Sequence, residues 1–299
     1  MPGNHDLTIT AANIESILPG INQARDQVHG LGAYSPVGNP KIAIEHGHRY
    51  NFCCAPDPFS NQLIAPGTIL PPGYFFTRLG ALYKIQNFPH AGDTLPNITE
   101  NILGGESQYL LFKYWIIWKM AITMFPITNR FDEKIILTKV GGFTGNYSVD
   151  DLVPYQSSPG GLIDLNLYQG IQDKWEARQT HNNVVIHTET ARAIDSVNSS
   201  KETDYQVELQ FFINPDSDKR IVIFDHTHTP KMGAPTNYDN QKCIYVNSGT
   251  CIYHNPGKTT LNFVVITPQS LDPSSRTLIK LYNFENEIVT NMDEDSLRY

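Results

Sequence analysis

Two short apolar runs constrain the fold more than any other feature of the chain. Lys41 to Glu45 carries Ile42, Ala43 and Ile44 and runs into His46-Gly47-His48, while Arg220 to Phe224 carries Ile221, Val222, Ile223 and Phe224 and runs into Asp225-His226-Thr227-His228. Runs of this length, rich in β-branched residues and bounded by polar ones, read as buried strands. A strand that ends in a polar loop is where α/β proteins place their chemistry. The chain is therefore expected to be α/β, with its working residues on loops that lie far apart in sequence.

Composition is consistent with a packed protein. Of 299 residues, 40% are hydrophobic, with 15 Tyr and 14 Phe, and only 17% are charged, so most of the length is expected to be ordered. A net charge of −8 without an offsetting basic cluster argues against a nucleic-acid surface. The four cysteines, with Cys53 next to Cys54, make no disulfide framework and read as reduced thiols. Tyr109 to Phe125 is the most apolar stretch. Lys113 and Lys119 interrupt it, and it falls short of the ~20 apolar residues of a membrane span. A buried helix is expected instead. No signal peptide is visible, which points to the cytoplasm.

Local patterns give further elements. Ile14, Ile17 and Leu18 share a helical face ahead of Pro19-Gly20. From 51 to 219 the character is mainly helical, with helices expected at 74–85, 108–125, 164–178 and 205–212. In the third of these Leu167, Ile171 and Trp175 fall at i, i+4 and i+8. Strands are expected again at 243–247, 260–267 and 277–284, rich in Val, Ile, Tyr and Phe. The resulting organisation is a core contributed by 1–50 and 220–290, an insertion or cap at 51–219, and a frayed polar tail at 291–299. Tyr74, Phe75, Phe76, Trp115 and Trp118 of the helical block admit two readings, a ligand surface or core packing, and packing is the simpler.

Three histidine-bearing motifs carry the chemistry. The first opens the chain as Gly3-Asn4-His5-Asp6, the second is His46-Gly47-His48 and the third is Asp225-His226-Thr227-His228. Imidazole is the commonest metal ligand, and an Asn carbonyl is an acceptable oxygen donor for Mn, Fe or Zn. Any one of them alone reads as a solvated turn. Three, each beside an expected strand or helix start, point to a shared metal site.

The ordered set Gly3-Asn4-His5-Asp6, His46-Gly47-His48, His226-Thr227-His228 and Asn247-Ser248-Gly249 resembles the calcineurin-like metallophosphoesterase family. The likeness covers the two ends of the chain and says little about substrate. It implies a four-layer α-β-β-α sandwich and hydrolysis of a phosphoester, as a phosphatase or phosphodiesterase. Two divalent ions (Mn, Fe or Zn) about 3.5–4 Å apart would hold a bridging hydroxide. It implies Asn4, His46 and His226 as ligands of one ion and His228 as a ligand of the other. His5 would be the acid that protonates the leaving group, and Asp6 would orient its ring. His48 would be a substrate contact or a structural histidine, and Arg49 a phosphate contact or a solvated arginine.

The chain departs from the family pattern in two ways. The family carries DxH and GDxxD segments ahead of the motif at residues 3–6, so the resemblance implies a fragment of a longer enzyme. On that reading the chain alone would hold at most one ion, and a non-catalytic metal-binding remnant is the alternative. The family has Gly where Asp225 stands, so Asp225 either strains the loop or adds a carboxylate.

Overall fold

The computed structural model describes residues 3–20, 32–88, 95–128, 134–137, 139–250, 259–270, 272 and 274–299. In chain order the elements are α1 (Ala11–Ile17), β1 (Ile42–Ile44), α2 (Pro72–Ile85), α3 (Gly105–Met124), β2 (Lys134–Leu137), β3 (Asn146–Ser148) and α4 (Val149–Leu152). They continue with β4 (Tyr155–Gln156), β5 (Ile163–Asp164), α5 (Trp175–His181), α6 (Thr190–Ser196) and α7 (Glu202–Val207), which runs on as a π-turn over Glu208–Phe212. The last are β6 (Ile221–Phe224), β7 (Lys231–Gly233), β8 (Ile244–Asn247), β9 (Asn262–Thr267), β10 (Thr277–Glu285) and β11 (Ile288–Leu297). The chain divides into two compact units, one of residues 1–50, 183–186 and 198–299, the other of 51–182 and 187–197.

The first unit is mixed α/β. Its larger sheet has the order β1-β6-β8-β7, with β1, β6 and β8 parallel and β7 antiparallel to β8. Both faces of this sheet are covered, so each central strand is a continuous apolar run rather than an alternating one. The period of two then sorts the side chains between two cores. Ile42, Ile221, Ile223, Ile244 and Val246 point to one face. There they pack against Ile279, Leu281 and Leu297 of the antiparallel sheet β11-β10-β9. Ala43, Val222, Phe224 and Tyr245 point to the other face, against Tyr50, Val207, Phe211 and Phe212. Each Val, Ile or Phe buried this fully contributes about 1.5–3 kcal/mol. This two-sided burial locks β1 next to β6, and so brings the loops that follow them together.

The expected tail at 291–299 is not frayed. Residues 288–297 form β11, paired along β10, and Leu297 is buried in the core. Its polar sequence is that of an edge strand. Lys280 Nζ lies 3.0 Å from Glu294 Oε2, and Lys242 Nζ lies 2.5 Å from Asp295 Oδ1. Charge along an edge also discourages pairing with other chains.

The second unit holds α2 to α6 and the short hairpins β2-β3 and β4-β5. Trp115, Trp118, Phe75 and Trp175 are buried in it, so these aromatics are core. The helix expected at 164–178 is present only from Trp175 onward. Leu167, Ile171 and Trp175 are all buried, as their spacing indicated, but the chain reaches them through turns. Tyr168 (φ 62°) and Gly170 (φ 70°) take left-handed conformations that no helix accepts. The Tyr168 hydroxyl donates to the carbonyl of Leu70 at 2.8 Å, and the Tyr168 N–H to Asn61 Oδ1 at 2.8 Å. Among the described residues no helix is long and apolar enough to cross a membrane, α3 included.

Candidate metal centre

The three histidine motifs meet in the first unit. β1 delivers His46 and His48, β6 delivers residues 225–228, and the turn at residues 3–6 lies against both. Asp6 N–H donates to the carbonyl of Gly3 at 3.0 Å, and Gly3 N–H lies 3.4 Å from Asp6 Oδ2, so the opening turn is closed upon itself. A Cβ on Gly3 would sit 2.8 Å from Cδ2 and Nε2 of His46. Only glycine lets this backbone approach the imidazole so closely. Gly47, at φ 97°, faces a similar restriction, since a Cβ there would lie 3.2 Å from the Phe224 ring and 3.3 Å from Thr203 Cγ2.

His46 is the centre of the group. Its ring lies 5.0 Å from that of His48 and 5.2 Å from that of His226, edge-on in both cases. His46 Nδ1 and His48 Nδ1 share a hydrogen bond at 3.2 Å. Asp225 Oδ2 stands 4.0 Å from His46 Nε2. The buried Asn4 places Nδ2 3.3 Å from His5 Nε2. His5 and His228 are near enough that a charge on either disfavours protonation of His46 and His226.

Burial is the dominant influence on these rings. It lowers the pKa of His46 and His48 well below the ordinary value and that of His226 to about 3, and the neighbouring imidazoles add to the shift. All three rings are therefore neutral at pH 7, the form that binds metal. His5 is also lowered by burial, with the Asp6 charge acting in opposition. Burial raises Asp225 to about 6, the His226 backbone N–H lowers it, and the nearby Asp6 charge raises it further.

The donors suit a divalent transition metal in kind: neutral imidazoles, an amide and carboxylates. His48 Nε2 and Asp225 Oδ1 are buried with no hydrogen-bond partner, which is costly unless something else satisfies them. Among the described residues, however, no three His, Cys, Asp or Glu side chains already stand as a ligand set.

Several expected roles change. Arg49 is not solvated: Nε donates to Glu45 Oε2 at 2.7 Å, Nη2 to Glu45 Oε1 at 3.1 Å and Nη1 to the carbonyl of Asn183 at 2.8 Å. Tyr50 OH completes the arrangement, donating to Glu45 Oε1 at 2.9 Å. The spacing Glu45-x3-Arg49 was the available sequence signal for this pair. Asp6 Oδ2 lies 3.4 Å from the Gly3 N–H, and the Asp6 charge opposes the effect of burial on His5. Asp225 does not strain its loop, because the positive φ values fall on His226 (67°) and His228 (54°). Asn247 is fully buried behind that loop, a placement the Asn-Ser-Gly motif did not disclose.

No family model matches the chain, and neither a curated protein nor a solved structure matches it.

Proposed function

We propose that the chain is a metal-dependent phosphoester hydrolase of the calcineurin-like metallophosphoesterase kind. The observation that carries this reading is the convergence of residues 3–6, 46–48 and 225–228 around the His46 ring, with its neighbours 5.0 and 5.2 Å away. The packing of one sheet on another, with a helical layer on the other face of the larger sheet, is in keeping with the family's sandwich.

His46, His226, His228 and Asn4 would hold the metal, with Asp225 as an additional oxygen donor. Held by these residues, a divalent ion would supply Lewis-acid polarisation of a phosphoryl oxygen and a lowered pKa for water. His5 supplies the proton for the departing alkoxide. The acid would be the imidazolium, since a neutral ring giving up its one proton would be left as an imidazolate, and the Asp6 charge favours the protonated form against burial. Glu45 and Arg49 act by holding the segment after β1 in place.

The lesser reading is a metal-binding chain without turnover, holding at most one ion. Metal analysis combined with turnover separates the two. The chain loaded with Mn(II) or Zn(II) is expected to hydrolyse p-nitrophenyl phosphate or bis-p-nitrophenyl phosphate, to lose activity in EDTA and to regain it with metal. His5→Ala is expected to slow hydrolysis of an alkyl phosphate, whose leaving alkoxide needs the proton, by about 10²–10⁴-fold, and that of p-nitrophenyl phosphate much less. A chain that retains metal and turns over neither ester supports the binding-only reading and removes the hydrolase.

A further inference from the structure

The loop carrying His226 and His228 is an unusual piece of backbone. Thr227 N–H donates to the carbonyl of Asp225 at 2.8 Å, which closes a three-residue turn with His226 at its apex and φ 67°. A γ-turn with positive φ at the apex is the rare, strained kind. His228 follows at φ 54°. Strained backbone of this sort persists only where the surroundings over-determine it.

Asn247, at the end of β8, supplies that constraint. Its Oδ1 accepts from Gly249 N–H at 3.0 Å, which fixes which end of the amide faces the loop. Nδ2 then lies 2.9 Å from the carbonyl of Asp225 and 2.9 Å from Thr227 Oγ1. These two shortest contacts both lie in the turn that carries the histidines, while the Tyr245 hydroxyl stands farther from the same nitrogen, at 3.4 Å. Thr203 Oγ1, 3.2 Å from Nδ2, receives the Tyr245 hydroxyl hydrogen at 3.0 Å, so α7 braces the amide from behind. A buried Asn that served packing alone would be satisfied by any nearby backbone. Here the two shortest contacts of Nδ2 fall on one turn.

We propose that Asn247 is the positioning residue of the metal centre: it clamps the γ-turn so that His226 and His228 are presented to the ion before it arrives. The proposal rests on the metal-binding reading above. Groups that orient ligands in this way typically change metal affinity by about 10–100-fold when removed.

The test uses the whole chain, with Zn(II) as the probe, and the variants Asn247→Ala, Thr227→Val and the pair combined. Without metal, amide hydrogen exchange at position 227 is expected to quicken by about tenfold or more in each single variant, while amides of β9 and β10 are unaltered. Zinc affinity is expected to fall by about 10–100-fold in each single variant. The combined variant should fall no further than the worse single one, because both changes remove the same clamp. Unchanged exchange at 227 in a folded Asn247→Ala chain overturns the proposal, as do additive losses of affinity. Should Asn247→Ala fail to fold, Thr227→Val decides, since it keeps the volume and loses only Oγ1. A wild-type chain that binds no zinc removes the metal reading, and the clamp is then judged by exchange alone.

Discussion

At the scale of single residues, the site depends on what lies beneath the histidines as much as on the histidines. Glu45 is buried with Arg49 and Tyr50 directed at it, immediately before His46. Removing one partner of a buried pair leaves an uncompensated charge, which costs about 3–5 kcal/mol. Glu45→Ala is therefore expected to lower unfolding free energy by about that amount, measured in urea. A loss below about 1 kcal/mol would place Arg49 in solvent. The imidazoles themselves make a pH prediction. Unfolded histidine binds protons below about pH 6.5, whereas folded His226 stays neutral down to about 3, and His46 and His48 are lowered too. Between those limits the unfolded state binds more protons, so stability of the metal-free chain declines as pH falls. The urea midpoint is expected to be lower at about pH 5 than at about pH 7.5, and His226→Asn should flatten the dependence. A midpoint independent of pH over that interval would contradict the burial of these rings.

At the scale of elements, local pattern was a good guide where burial and secondary structure share a period. Strands expected at 41–45, 220–224, 243–247, 260–267 and 277–284 formed within a residue or two of those bounds, as did the helix at 74–85, while the helix expected at 108–125 begins three residues earlier, at Gly105. Two elements were misread, for opposite reasons. Residues 164–174 have helical spacing but reach their buried positions through turns, because the spacing records burial and not the path between buried points. Residues 291–299 read as a tail because β11, which takes in most of them, shows most of its side chains to solvent, and its pairing with β10 is invisible in composition. Leu297→Ala tests that assignment. A Leu buried in the core is expected to cost about 2–5 kcal/mol, whereas a frayed end would lose less than about 0.5.

At the scale of the whole molecule, the second unit carries its own probe. The three tryptophans, Trp115, Trp118 and Trp175, all lie in the second unit, so their fluorescence reports its unfolding. That unit buries an ion pair, Arg178 Nε to Asp57 Oδ2 at 3.6 Å, with the guanidinium 5.4 Å from the Phe52 ring centre and 5.1 Å from that of Trp175. Asp57→Ala is expected to destabilise the unit by about 3–5 kcal/mol. Asp57→Leu combined with Arg178→Met should be less harmful than either change alone, since no charge is left unpaired. If the double variant is the worse by tryptophan fluorescence, the pair stabilises this core outright.

The sequence by itself determined the apolar runs, the histidine motifs that follow them and the α/β character, because strand periodicity and the order of residues are local properties. Only the tertiary structure decided that the turn at residues 3–6 lies against His46, that Arg49 belongs to Glu45, and that Asn247 reaches the loop at 225–228. Each of these joins segments whose proximity is set by burying both faces of the β1-β6-β8 sheet, and long-range packing of that kind leaves no periodic trace along the chain.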